Sequence, residues 1–171
     1  MKILIMNWRD VRHPRAGGAD FRLQQVYAPL VRAGHKVVLY SCSFAGASRM
    51  DSIDGIRVYR VGNDWTFAGL CLLSLRRWVR EHRPDVVVED LNKLPFYAPW
   101  VYKGPLVVQM HHLWRGSIFR ETMWPIALLI WLAEESVRWV YRGCVFSVVS
   151  PSTKGELVEM GLPEKSIEVI Y

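Results

Sequence analysis

Short runs of aliphatic residues alternate along the chain with longer stretches whose apolar positions recur at helical spacing, the order expected of βαβ units. The runs predict strands over 2–6, 36–41, 56–61, 85–89, 106–110 and 145–149, with a last strand over 167–171. Val37-Val38-Leu39, Val86-Val87-Val88 and Val107-Val108 are near-continuous apolar segments, as in strands buried on both faces. Between the strands the pattern predicts a helix over 19–33, closed by Gly34, with an apolar stripe of Phe21, Val26, Leu30 and Val31. A second helix over 66–82 carries Arg76, Arg77 and Arg80 on its polar side and ends before Pro84. A long helix over 124–142 has Pro125 in its first turn, where a missing N–H does no harm, and Gly143 at its end. The last helix starts at Ser150-Pro151-Ser152-Thr153, where Thr153 and Glu156 have capping-box spacing, and stops at Gly161 and Pro163. The fold class that follows is α/β, a Rossmann-like parallel sheet with helices on both faces.

A length of 171 residues fits one domain, 1–171, and is too short for a second full one. With 51% hydrophobic and 22% charged residues, the composition is globular and excludes disorder. A formal charge of +6 and a pI near 9.4 point to an anionic partner: nucleotide phosphates, an anionic membrane surface or nucleic acid. Nucleic acid ranks last, because no helix-turn-helix, zinc or RNA-recognition aromatic pattern accompanies the charge. Cys42, Cys71 and Cys144 are odd in number, far apart and set among apolar neighbours, which reads as buried free thiols in a reducing compartment. Ile3-Leu4-Ile5-Met6 is too short for the apolar region of a signal peptide, so the expected location is the cytoplasm. The longest apolar run, 123–133, has eleven residues, against the ~18 of a membrane span. It can lie on a membrane surface but not cross it.

Candidate chemistry begins where the first strand gives way to Asn7-Trp8-Arg9-Asp10-Val11-Arg12-His13-Pro14-Arg15-Ala16-Gly17-Gly18 and a helix opens. Glycines there let a ligand reach backbone N–H groups at the positive end of the helix, which suits phosphate or another anion. A plain flexible turn fits the same residues equally well. Gly17-Gly18 lacks the G-x-G-x-x-G order, and the second strand ends in Ser41-Cys42 with no acid to hold a ribose, which argues against a nicotinamide cofactor. The sequence has no G-x-x-x-x-G-K-[ST] phosphate loop either, so an ATPase has no anchor. No metal and no cofactor are expected.

Asn7-Trp-Arg9-Asp, then His13-Pro-Arg-Ala-Gly-Gly-Ala, then Gly34-His35-Lys36-Val37 resembles the opening of glycosyltransferase family 4. Glu89-Asp90-Leu-Asn92-Lys93, His111-His112-Leu113 and Ser150-Pro-Ser152-Thr153-Lys-Gly-Glu156-Leu before Gly161 are similar to later blocks of the same N-terminal domain, so the resemblance covers essentially the whole chain. It implies the N-terminal, acceptor-side half of a GT-B fold, in which two Rossmann-like domains face each other across a cleft. The C-terminal donor-binding domain, with the family's paired glutamates, is absent from this chain, and the chain alone is expected to be inactive. The implied activity is retaining transfer of a sugar from a nucleotide-sugar donor to a glycan or lipid-linked acceptor. His111 matches the position that faces the reaction centre, with His112 as the alternate, and Gly17 and Gly18 match a donor-phosphate and acceptor loop. His13, Arg9 and Arg15 add positive charge to that loop. Asp20 stands where relatives place glutamate.

Ligands gather at the carboxyl ends of strands in open α/β sheets, which independently favours His111, Glu89 and Asp90, with Asn92 and Lys93 at the same rim. Glu89 and Asp90 are neighbours on a strand, so they point to opposite faces and do not flank one bond as a glycosidase pair would. The region 111–142 combines Trp114, Trp124, Trp131 and Trp139 with Arg115, Arg120, Arg138 and Arg142. Core packing is the better-supported reading of that helix, since Glu134 and Glu135 interrupt its cationic face and a helix over a parallel sheet is apolar anyway. Docking on anionic lipid is the alternative. Two functional alternatives accompany transfer: a stand-alone module binding an anionic ligand, and a peripheral membrane adaptor without catalysis.

Overall fold

The computed structural model describes residues 1–92 and 94–170. The aliphatic runs form one eight-stranded sheet: β1 (Lys2–Met6), β2 (Lys36–Cys42), β3 (Met50–Ile53), β4 (Ile56–Val61), β5 (Val86–Leu91), β6 (Leu106–Met110), β7 (Val145–Val148) and β8 (Ile167–Val169). Their spatial order is β3-β4-β2-β1-β5-β6-β7-β8, and every pairing is parallel except β3 with β4. The order reverses at β1, so β1 and β5 flank the point where the crossovers diverge, the place where open α/β sheets bind ligands. β1, β2 and β5 are buried almost throughout, as strands covered on both faces must be.

Helix α1 (Gly18–Arg32) covers one face, packing on Ile3, Ile5, Val37, Leu39 and Val88. The opposite face is covered by α2 (Phe67–His82), the short α3 (Ala98–Val101) and α5 (Trp124–Val140), which follows a single turn, α4 (Ile118–Glu121). Leu157 of α6 (Pro151–Glu159) joins the cluster under α5.

Four expectations need correction. The buried stripe of α1 is Asp20, Leu23, Tyr27 and Ala28, while Phe21 and Val26 face solvent, because the sheet lies on the Leu23–Tyr27 side of the helix. The N-cap of α6 is Ser150, whose hydroxyl accepts from the Thr153 N–H at 3.1 Å, so the cap sits one turn before the Thr153–Glu156 spacing suggests. Helix α5 ends at Val140 with Tyr141 as its cap, ahead of Gly143. The sequence pattern also passes over β3, which a tight turn at Asp54-Gly55 folds back onto β4. The end of the predicted strand 167–171 reaches Tyr171, outside the described residues.

Candidate functional site

β1 delivers Asn7 just beyond its last paired residue, and the Met6–Glu89 register sets Asn7 beside Asp90 of β5. Both are buried on the α1 face of the sheet. The Asn7 amide donates to the Arg9 carbonyl at 2.8 Å and to Asp20 Oδ1 at 2.9 Å. Asp20, three residues into α1, accepts the Gly17 N–H on its other oxygen at 2.8 Å. Strand end, loop and helix start are thus closed into one ring of hydrogen bonds. Burial raises the Asp20 carboxyl above its ordinary value, and the Gly17 N–H and Asn7 amide partly offset this.

Gly17 caps α1 in extended conformation, and Gly18 is its first helical residue. A Cβ built on either glycine meets nothing within 4 Å. The fold therefore does not need glycine at these positions. What the missing side chains leave is open access to the N-terminal N–H groups of α1, which have no intrahelical partner and carry the positive end of the helix dipole.

His111 follows β6, and its Nε2 lies 3.0 Å from Asp90 Oδ2. Asp90 is fully buried. Burial raises its carboxyl; the His111 hydrogen bond pulls it back, and nearby Asp20 pushes it up again. The Thr153 hydroxyl donates to the His111 carbonyl at 3.2 Å, fixing the backbone from which the ring projects. With Nε2 engaged by Asp90, Nδ1 is the ring nitrogen left for another partner. Asn7 Oδ1 and Asp90 Oδ1 are buried side-chain oxygens that receive no hydrogen bond among the described residues. The central strand ends therefore hold two buried acceptors whose hydrogen-bonding capacity is unmet by the described residues, close under the start of α1.

Glu89 is not at the rim. It is wholly buried on the opposite face of the sheet, where Oε1 accepts from the Phe96 N–H and the Tyr141 hydroxyl, each at 2.6 Å, and Oε2 from the Ala98 N–H at 3.2 Å. Burial pushes this carboxyl up to about 7. It ties β5 to α3 and the end of α5, and no lone pair is turned toward the cleft. The opposite-face expectation for Glu89 and Asp90 holds.

His13 does not add positive charge to the loop. It is buried, its Nδ1 accepts the Arg15 N–H at 3.0 Å, and its ring stands edge-on to Phe44. Burial, followed by the adjacent Arg9 charge, lowers its pKa, so the imidazole is neutral. Arg9 and Arg15 both pair with Asp64, which offsets part of their charge. His13, Cys42 and Asp64 hold ligand-type atoms within 4.8 Å of one another. The trio is poorly suited to a cation: His13 Nδ1 is occupied, burial pushes the Cys42 thiol up to about 11, and two guanidinium groups flank Asp64.

His112 is exposed and turned edge-on to Trp114, and the Asn92 carbonyl accepts from Trp114 Nε1 at 3.2 Å. The crevice between them has a cavity volume of about 10 Å³, room for one water and not for a sugar. Lys93 lies outside the described residues. The loop is anchored by residues that sequence reading missed. Asp10 accepts from Arg60 at 2.7 and 2.9 Å and from Ser41, and Arg60 also reaches Asp51 of β3. Nothing in a single sequence links positions fifty residues apart.

The family profile described as Glycosyltransferase Family 4 matches residues 16–171. The chain belongs to glycosyltransferase family 4. The solved sucrose-phosphate synthase from Thermosynechococcus elongatus superposes on this family 4 chain with a TM-score of 0.65 at 13% identity, covering 99% of this chain and 47% of that one. The UDP-GlcNAc 2-epimerase from Methanocaldococcus jannaschii gives 0.58 at 13% identity, covering 99% and 45%. At these identities the likeness shows a shared fold, and the family 4 chain spans about half the length of either structure. No curated protein matches it in sequence.

Proposed function

We propose that the chain is the acceptor-side half of a retaining glycosyltransferase that takes a sugar from a nucleotide-sugar donor. A second Rossmann-like domain across the cleft grips most of the donor. The observation that carries this reading is the His111–Asp90 pair at the carboxyl ends of the central strands, next to the open N-terminus of α1. An acceptor sugar offers hydroxyl groups, which match the ring nitrogen of His111 that Asp90 leaves unoccupied. The donor diphosphate matches the N–H groups at Gly18 and Ala19, where Gly17 and Gly18 allow close approach. Donor contact on this side is limited to those groups, so nucleotide sugar alone binds this chain weakly. Family membership supports the transferase class, and a match to about half the length of each solved structure supports a partner domain.

Within this reading Asp90 holds the His111 ring with Nδ1 toward the cleft. His111 then contacts the reacting hydroxyl or the charge that develops in the transition state, without serving as a fixed general base. Closure by the second domain excludes water from the transfer. The acceptor class is a glycan or a lipid-linked sugar.

The test is transfer from a panel of nucleotide sugars by the natural full-length gene product, with the anomeric configuration of the product read by NMR. The proposal expects one donor to give transfer with retention. Inversion would remove the retaining mechanism. Tight binding of an anionic ligand with no transfer from any donor would replace the enzyme with a binding module.

A further inference from the structure

The outer layer of helices α2, α3 and α5 carries more apolar surface than covering the sheet requires. Helix α5 packs inward through Ala127, Ala133 and Val137, yet Leu129, Leu132 and Trp139 are 60%, 52% and 67% exposed. Core packing therefore accounts for only half of this helix. Beside it, Leu73 of α2 and Trp100 of α3 are 81% and 56% exposed. The three helices form one continuous layer, because the Tyr97 hydroxyl is 3.1 Å from Ser136 Oγ and Arg76 Nε donates to the Val101 carbonyl at 3.1 Å. Tryptophan is on average a well-buried residue, and apolar groups gathered on one surface mark an interaction site.

The charge on the same layer selects the partner. Arg76, Arg77 and Arg80 stand exposed along α2, while Arg138 and Arg142 lie at the end of α5. Against these stand Glu81 and Glu135, the latter paired with Arg138 at 3.5 Å. The Arg138 guanidinium also sits over the Trp139 ring at 4.8 Å, an aromatic body with a charged tip of the kind that suits a headgroup boundary. No helix among the described residues is long and apolar enough to cross a membrane, so α5 would lie in the surface plane. A second copy of the chain would bring this net-positive layer against another of the same sign, which disfavours a dimer.

We propose that the α2–α3–α5 layer docks the protein on an anionic lipid bilayer. The layer is mechanically joined to the candidate site. Glu134 on α5 accepts the Trp114 and Arg115 N–H groups, both at 2.9 Å, in the segment that follows His111. The docking itself does not depend on the transfer reading, since it involves neither His111 nor Asp90.

The test is co-sedimentation of the chain with vesicles of phosphatidylcholine alone and of phosphatidylcholine and phosphatidylglycerol in equal parts. The expected result is binding to the anionic vesicles at least tenfold stronger than to the neutral ones, weakening with added salt. The exposed double variant Leu132→Ala/Trp139→Ala should bind about tenfold more weakly through lost apolar contact. Arg77→Glu/Arg80→Glu should weaken anionic binding by about fivefold or more per charge and leave neutral vesicles unaffected. Unchanged thermal midpoints and near-ultraviolet dichroism establish that both variants fold. The proposal is overturned if the wild type sediments equally with both vesicles or with neither, or if the variants bind as well as wild type. A concentration-dependent dimer abolished by Leu132→Ala/Trp139→Ala would assign the layer to a second copy instead. His111→Ala should retain vesicle binding whatever it does to transfer, so failure of docking and failure of the transferase reading are separable.

Discussion

Replacing Arg60 by methionine keeps much of a buried aliphatic side chain and deletes its charge. The variant loses the two bonds to Asp10, at 2.7 and 2.9 Å, and leaves that buried carboxylate with the Ser41 hydroxyl and the Arg12 N–H. Removing one partner of a buried ion pair costs about 3–5 kcal/mol, against a total stability of about 5–15 kcal/mol for a domain. For a domain of this size that corresponds to a fall in Tm of about 6–20 °C. Acid gives a second handle. Burial pushes the Asp10 carboxyl up, but the Arg60 and Arg12 hydrogen bonds hold it below its ordinary value. Its contribution is therefore fully present above the unfolded pKa of 3.8 and is lost as pH falls through the lower folded value. Urea unfolding followed by tryptophan fluorescence, at neutral pH and again near pH 3, should show a large gap between wild type and variant that narrows on acidification. A gap under about 1 kcal/mol at neutral pH, the range of an exposed ion pair, would refute the reasoning. So would a gap that ignores pH.

Glu89 predicts the opposite pH trend. With its carboxyl pushed up to about 7, the folded state holds the proton more tightly than the unfolded chain, so this contribution is complete below 4.5 and lost as pH rises through 7. The Tm of wild type should fall across that window, and Glu89→Ala, which orphans the Phe96 and Ala98 N–H groups, should be destabilised by about 3 kcal/mol or more and lose the trend. Gly18→Ala should leave stability within about 1 kcal/mol, or raise it, because its Cβ meets nothing, while weakening binding of a diphosphate ligand in a direct titration.

Buried strands were the most legible part of the fold, because Val37-Val38-Leu39 and Val86-Val87-Val88 have no other stable place than a doubly covered sheet. β3 was missed although a signal existed. Asp54 and Gly55, both at positive φ, form the two-residue turn that Asp-Gly favours between paired strands. The stripe of α1 was misread because Leu23 and Tyr27 define a face as apolar as Phe21 and Val26 do, and only the sheet decides between them. The reading of α5 as core was half right for a related reason: its apolar residues run all the way round, so sequence does not say how many face inward. Position at a strand's carboxyl end picked out Asp90 and His111, which the structure brings within 3.0 Å of each other, but could not set Glu89 apart, since neighbouring carboxylates on one strand go to opposite faces. His13 and the Arg60–Asp10 pair depend on contacts between distant segments, which carry no local pattern.

The most direct test of the account is His111→Ala in the natural full-length enzyme, once its donor is known, with kcat and KM measured separately and folding verified by Tm. A contact made to the reacting group predicts a loss in kcat of about 10²–10³ with KM for the nucleotide sugar little changed. Transfer within a few-fold of wild type would contradict it and leave the Asp90–His111 pair as a structural hydrogen bond.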